Sequence, residues 1–291
     1  MNGDSDHGGI LTRLARARAR YAEEWGAGNA RKFSTEGHYD WMAGFLPRQG
    51  KVIEIGVGNG NSTLALVRSG QAVIALDENP ACLSAAAERL GAAGAAVASE
   101  LRGNVRPSGR GYAISYAPPR SGFPEDGCLL LESDIMNDDA LLEWVNGNGG
   151  VDAVVCWLMG TYQERTLNEA VAGTGVRSPA EYRLTVQEQV CRIAPRLLNP
   201  GGVVHFVDRC LLTPDTAGNR AGSAAWLEQC RCAYEKRAAM GGLSVLSLDF
   251  QTYTEPESDA TPVVRLTRSL AGDDPDESDK AFVSVVLGTP A

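Results

Sequence analysis

The stretch Lys51-Val52-Ile53-Glu54-Ile55-Gly56-Val57-Gly58-Asn59-Gly60 decides the fold. An apolar, partly β-branched run ends abruptly in glycines at alternate positions. A short apolar run bounded by glycine reads as a buried strand of a parallel sheet. The glycines permit positive φ and let the backbone come close to a ligand. Outward from this point the chain alternates strand and helix. Ser62 to Ser69 reads as a helix, Gln71 to Asp77 as a strand, and Pro80 to about Ala95 as an Ala-rich helix with Pro in its first turn. Cys128 to Glu132, Val151 to Trp157 and Val203 to Asp208 read as further strands. A long helix, Pro179 to Leu198, precedes the last of these, joined through the turn Asn199-Pro200-Gly201-Gly202. Asn219 to Met240 reads as a helix, followed by strands near Ser244–Thr254 and Ala281–Leu287. Alternation of this kind predicts an α/β fold with a mainly parallel sheet covered on both faces.

Upstream, Met1 to Ile10 has no core-forming pattern and is expected to be disordered. Leu11 to Trp25 reads as a helix carrying Arg13, Arg16, Arg18 and Arg20, and a solvated basic face is the expectation for it. A second helical stretch, about Glu36 to Leu46, is closed by Pro47. The expected organisation is a helical arm, residues 1–46, and a main domain, residues 47–291. Three segments near 99–127, 158–178 and 255–280 are longer than ordinary connections and read as insertions or binding loops.

Composition narrows the function. Hydrophobic residues make up 44% and charged residues 22% of the 291, enough for a core and too apolar for a wholly disordered chain. Lys and Arg number 27 against 36 Asp and Glu, a net charge of −9. Neutralising phosphates needs a basic face, so nucleic acid is not the expected partner. No apolar run reaches the length of a membrane helix, and the polar, acidic Met1 to Gly9 is unlike a secretory signal. A cytoplasmic location is therefore expected. The seven cysteines are irregularly spaced and contain no C-x-x-C pair, so reduced thiols are expected. His7, His38 and His205 are too scattered for a zinc site, and no metal is expected.

The glycine loop departs from a dinucleotide fingerprint, G-x-G-x-x-G, because Asn61 stands at the last position. Glu54, two residues before Gly56, would repel a pyrophosphate but suits an ammonium or sulfonium ligand. Here the chain resembles the class I S-adenosylmethionine-dependent methyltransferases. The resemblance rests on [DE]-x-G-x-G-x-G at Glu54–Gly60, on Asp77-Glu78 after the second strand, and on Ser133-Asp134-Ile135 after the third. Asp152 to Trp157 and Leu197-Leu198-Asn199-Pro200-Gly201-Gly202-Val203 complete it. It spans about Tyr39 to Leu287. It implies a doubly wound, mostly parallel seven-stranded sheet with an antiparallel last strand and an N-terminal helical lid. It implies S-adenosylmethionine as cofactor, held by Tyr39, Glu54, Gly56, Gly58, Gly60, Asp77, Glu78, Asp134, Ile135 and Cys156, the last through its backbone carbonyl while its side chain packs. Asp77 would accept the ribose hydroxyls, and Asp134 would hold the adenine or simply cap its turn.

Catalytic candidates are Asp208 and His205 of the fifth strand. Strand alternation sends these two to opposite faces. His205 could equally be a satisfied core histidine, and Asp208 could simply pair with Arg209. Trp157, Tyr162, Arg165 and Arg209 are the candidate substrate-binding residues, with Arg165 as a solvated loop charge the plainer alternative. The expected function is methyl transfer to oxygen or nitrogen of a small-molecule acceptor. A nicotinamide-dependent oxidoreductase and a non-catalytic cofactor-binding accessory protein are the alternatives. Oligomeric state is left open, a homodimer included.

Overall fold

The computed structural model describes residues 4–47, 49–212, 220–254 and 279–289. Most of the acidic 255–280 segment lies outside the described residues. The central sheet is built from β1 (Lys51–Ile55), β2 (Ala72–Asp77), β3 (Val97–Glu100), β6 (Cys128–Glu132), β7 (Val151–Trp157), β8 (Leu198–Leu212), β9 (Ser244–Tyr253) and β10 (Asp279–Gly288). Its order is β3-β6-β2-β1-β7-β8-β10-β9. The first six run parallel, and β10 lies antiparallel between β8 and β9. This is a doubly wound α/β fold. The sheet has eight strands, one more than expected, because β3 adds an edge beside β6.

Strand alternation builds two cores. Ile53, Val154, Cys156 and Phe206 face one side, against α6 (Asp139–Gly147), α8 (Pro179–Leu197) and α9 (Arg220–Ala238). Val52, Ala153, Val155 and Val207 face the other, with α3 (His38–Ala43), α4 (Asn61–Arg68) and α5 (Pro80–Ala92). Local chemistry sets the helix starts. Pro80 and Pro179 sit in first turns, and the side chains of Asn79, Asp138 and Ser178 accept amides at N-termini. Helix α6 had no strong sequence signal. It forms because Asp138 caps it and Leu141, Leu142 and Val145 bury one face.

Several boundaries differ from expectation. Helix α1 runs Asp4–Ala27, so Gly8-Gly9 does not interrupt it and the expected disorder is absent from Asp4 onward. A separate α2 (Asn29–Thr35) lies between it and α3. The 99–127 segment is no bare loop: it holds a hairpin, β4 (Gly103–Ser108) and β5 (Gly111–Tyr116), turning at Gly109-Arg110. Leu14 and Ala17 of α1 pack on Tyr112 and Ile114 of that hairpin and on Tyr162. The 158–178 segment contains a 3-10 turn, Gln163–Leu167, and α7 (Glu169–Ala172). Asn199 to Gly202 is not a turn before β8 but a bulge within it, where pairing with β7 jumps from Val151↔Leu198 to Ala153↔Val203. Among the described residues no helix is long and apolar enough to cross a membrane.

Gly60 has φ +78°, and a Cβ there would lie 2.9 Å from the Ala86 Cα of α5. Gly60→Ala should therefore cost about 1–3 kcal/mol of unfolding free energy. Gly91, a helical glycine of α5 with open space around its Cβ position, is the control. Gly91→Ala should be neutral or gain roughly 0.5–1 kcal/mol. Denaturant titration of both variants checks the pair.

Candidate functional site

The loops that leave β1, β2, β6 and β7 meet at one edge of the sheet and enclose a cleft. The carboxyl edge of a parallel sheet is where doubly wound folds bind ligands. The cleft has about 810 Å³ of free space, its mouth included. Gly56 to Gly58, Asp77 to Asn79, Ser133 to Ile135 and Trp157 to Tyr162 form its floor and walls. Tyr21 and Trp25 of α1 and Tyr39 of α3 close it from above. Gly56 (φ +85°) and Gly58 (φ +54°) admit no side chain. A Cβ would stand 3.0 Å from Met159 Cε at the first and 2.8 Å from Trp25 Nε1 at the second. Gly60 does not line the cleft; it lets the loop pack against α5.

The carboxylates take different roles. Asp77 Oδ2 accepts the Gly58 amide at 3.1 Å, and Oδ1 accepts the Asn79 amide at 2.9 Å. Burial, and then the charge of Glu78, push its carboxyl up to about 7. Glu78 is tied to protein groups. Its Oε2 pairs with Arg18 at 2.5 Å, and its Oε1 accepts the Tyr162 hydroxyl at 2.6 Å. Burial works against its charge, yet Arg18, Arg165 and Tyr162 hold it below the usual carboxylate range. Asp134 caps its turn by accepting the Met136 amide at 3.0 Å and also pairs with Arg165. Glu54 is withdrawn from the cleft. Its Oε2 accepts Thr63 Oγ1 at 2.6 Å, and its buried Oε1 has no partner. Burial pushes it up to about 7, against the hydrogen bond from Thr63.

Other expected site residues fall outside the cleft. Cys156 is 1% exposed and packs in the core under the sheet, where burial pushes its thiol up. The residues that follow it, Trp157 to Tyr162, carry the lining instead. His205 is fully buried. Its Nδ1 accepts the Trp157 indole N–H at 3.0 Å, so Nε2 carries the proton and donates to Ser284 Oγ at 2.8 Å. Burial lowers it to about 3, and both ring nitrogens are engaged, so it orients Trp157 and is no base for the cleft. Asp208 is 1% exposed and pairs with Arg183 at 3.2 Å, not with Arg209. It also accepts Gln187 Nε2 at 2.8 Å and the Tyr234 hydroxyl. Arg209 is buried and is not among the lining residues. Tyr162 and Arg165 do line the cleft, but both are bound to the carboxylates of its β2 and β6 side. Arg165 is 1% exposed, not a solvated loop charge.

Sequence reading missed Arg18, Tyr21, Trp25, Leu158 and Tyr182. Arg18 is buried, unlike the exposed Arg13, Arg16 and Arg20. The spacing of Arg18, Tyr21 and Trp25, three and four residues apart, places them on one helix face and was the available signal. Leu158 carries φ +53° in the cleft wall, a backbone state that costs a bulky residue about 1–2 kcal/mol. Nothing in its sequence context announces this. Among the described residues no group of three or more His, Cys, Asp or Glu side chains is placed to hold a metal ion. All seven cysteines are free.

No protein-family model matches this chain, and no curated protein sequence matches it. Solved structures similar to it include a putative methyltransferase from Bacillus halodurans C-125. That likeness has 11% identity, covers 88% of this chain and 100% of that chain, and has a TM-score of 0.45. A ribosomal protein L11 methylase from Lactobacillus delbrueckii subsp. bulgaricus is 12% identical over 91% of this chain and 81% of that one, with a TM-score of 0.43. A magnesium protoporphyrin IX methyltransferase from Synechocystis PCC 6803, solved with bound SAM, is 11% identical over 88% and 79%, with a TM-score of 0.40.

The buried His205 makes stability depend on pH. It stays neutral in the fold down to about 3 but takes a proton near pH 6.5 when unfolded. The unfolded chain therefore binds more protons between these values, and the contribution of His205 is lost as pH falls through this window. Asp77 and Glu54, both raised to about 7, act in the opposite sense, so total stability alone does not isolate the histidine. Comparison with His205→Gln does. The stability advantage of the parent over the variant should shrink by roughly 2 kcal/mol between pH 7 and pH 5. Denaturant titrations at the two pH values measure it.

Proposed function

We propose that the chain is an S-adenosylmethionine-dependent methyltransferase acting at oxygen or nitrogen of a small-molecule acceptor. The placement of Asp77 carries this reading. Two backbone amides fix its carboxylate in the cleft beside the glycine loop. Each oxygen keeps a lone pair, so the group suits the vicinal hydroxyls of a ribose. The aromatic rings of Tyr21, Trp25, Tyr39, Trp157, Tyr162 and Tyr182 surround the same space. Such rings suit both a flat base and a sulfonium cation. When bound, the cofactor supplies a methyl group already activated on sulfur. The chain's part is then to orient the two reactants and exclude water, which is where positioning supplies most of the rate.

In this reading the backbone from Gly56 to Gly58 floors the cofactor site beneath Met159 and Trp25, and Ile135 packs on the base. Trp157, held by His205, borders the acceptor side with Leu158 and Met159. The arm of residues 1–46 is a lid: Arg18 pins α1 to Glu78, and Asn79 Nδ2 donates to the Arg18 carbonyl at 3.0 Å. The net charge of −9 supports a small acceptor over a nucleic acid. The withdrawal of His205 and Asp208 from the cleft favours one second reading, a cofactor-binding protein without turnover.

Two measurements test this. Asp77→Ala should weaken binding of S-adenosylhomocysteine by about 10- to 100-fold, matching the roughly 1.5–3 kcal/mol of charge-assisted hydrogen bonds. Calorimetry that finds unchanged affinity sinks the assignment, and label transfer from methyl-labelled cofactor to a metabolite panel separates turnover from binding alone. Arg18→Ala should speed cofactor release in stopped-flow chase experiments, since it frees α1 from Glu78. An unaltered release rate argues against the lid.

A further inference from the structure

Among the described residues that line the cleft, Arg165 is the ion-paired one with a buried polar group left unused. It sits in the 3-10 turn Gln163–Leu167, lines the cleft, and is 1% exposed. Its Nε donates to the Tyr182 hydroxyl at 3.1 Å, and its guanidinium lies over the Tyr182 ring at 5.5 Å. One amino group, Nη2, pairs with Asp134. The other, Nη1, is buried and has no partner. A buried guanidinium donor left unmet is costly, and a ligand acceptor in the cleft would satisfy it.

Position says which part of a ligand that is. Asp77 follows β2, and Asp134 follows β6, the next strand outward in the sheet. A ligand with its sugar at Asp77 and its sulfur near the β1 and β7 loops has its base on the β6 side, at Asp134 and Arg165. Asp134 uses one lone pair for the Met136 amide and one for Arg165, which leaves acceptor capacity. The pair thus offers an acceptor beside a donor. Adenine offers the complement: an exocyclic amino donor next to a ring-nitrogen acceptor. An Asn or Gln amide reads adenine by this same pattern. Hypoxanthine, with an oxygen in place of the amino group, reverses part of it.

We propose that Arg165 is a specificity-determining residue that, together with Asp134, reads the edge of the cofactor's adenine by donating Nη1–H to a ring nitrogen. The inference rests on the reading of this cleft as the S-adenosylmethionine site. It reassigns Arg165 from the acceptor side to the base side.

The test is calorimetric titration of the full chain with S-adenosylhomocysteine, its 1-deaza and 7-deaza analogues, and its inosine analogue. Loss of the ring nitrogen that Arg165 contacts should weaken binding about tenfold, the size of one base-edge contact. The inosine analogue should be weakened at least as much. Arg165→Lys keeps the charge beside Asp134 but loses the planar fork. The double variant Asp134→Leu with Arg165→Met removes the buried pair without stranding a charge or leaving an amide that could read the base. In both, the deaza penalty should disappear, a readout that general destabilisation does not move. Equal binding of the parent ligand and both deaza analogues by the wild-type chain overturns the proposal, whether or not the variants fold. So does a penalty that survives in the variants. Absence of S-adenosylhomocysteine binding to the wild-type chain overturns the proposed function itself, and this inference with it.

Discussion

The turn after β1 constrains everything around the cleft. Gly56, Gly58 and Gly60 all hold positive φ, and each has a neighbour where a Cβ would stand: Met159, Trp25 and Ala86. The first two contacts bring the β7 loop and α1 down onto the backbone. The third seats the loop on α5. Side chains at these positions would lift the roof from the cleft and move the Gly58 amide that holds Asp77. A backbone requirement at three residues thus becomes a packing requirement for three separate segments.

Charge is the second organising force. Asp77, Glu78 and Asp134 crowd one side of the cleft. Uncompensated, buried carboxylates this close would take up protons or destabilise the fold. Arg18 from α1 and Arg165 from the segment after β7 answer two of them and leave Asp77 with backbone amides alone. The compensating cations therefore come from the segments that vary most from a minimal doubly wound fold. The same ion pairs pin the arm and the long loop in place. Tyr162 ties the long loop to the Arg18–Glu78 pair, because its hydroxyl donates to Glu78 and accepts from Arg18 Nε at 3.3 Å.

His205 and Asp208 show the limit of reasoning from strand position. The expected strand, Val203 to Asp208, put both near its tip, but β8 continues to Leu212 and both lie within it. Their alternation to opposite faces was legible, because the period of a strand is two. Their burial was not, because it depends on partners far along the chain. Ser284 and Trp157 close around the histidine, and Arg183, Gln187 and Tyr234 close around the aspartate.

The sequence by itself determined the doubly wound class, the strand–glycine–helix centre, and the placing of Asp77 and Asp134 at strand ends. These depend on local periodicity and on glycine, whose effects act within a few residues. It left the hairpin after β3 unread, because Tyr112 and Ile114 have no stable face until α1 and Tyr162 cover them. It also left Arg18 and Arg165 as solvated charges or unpaired ones, without their carboxylate partners. Only the tertiary structure decided those, since which carboxylate a guanidinium meets is a long-range matter. Glu78 lies 60 residues from Arg18, and Asp134 lies 31 from Arg165. Sheet order, set by the packing of strands distant in sequence, brings each pair together.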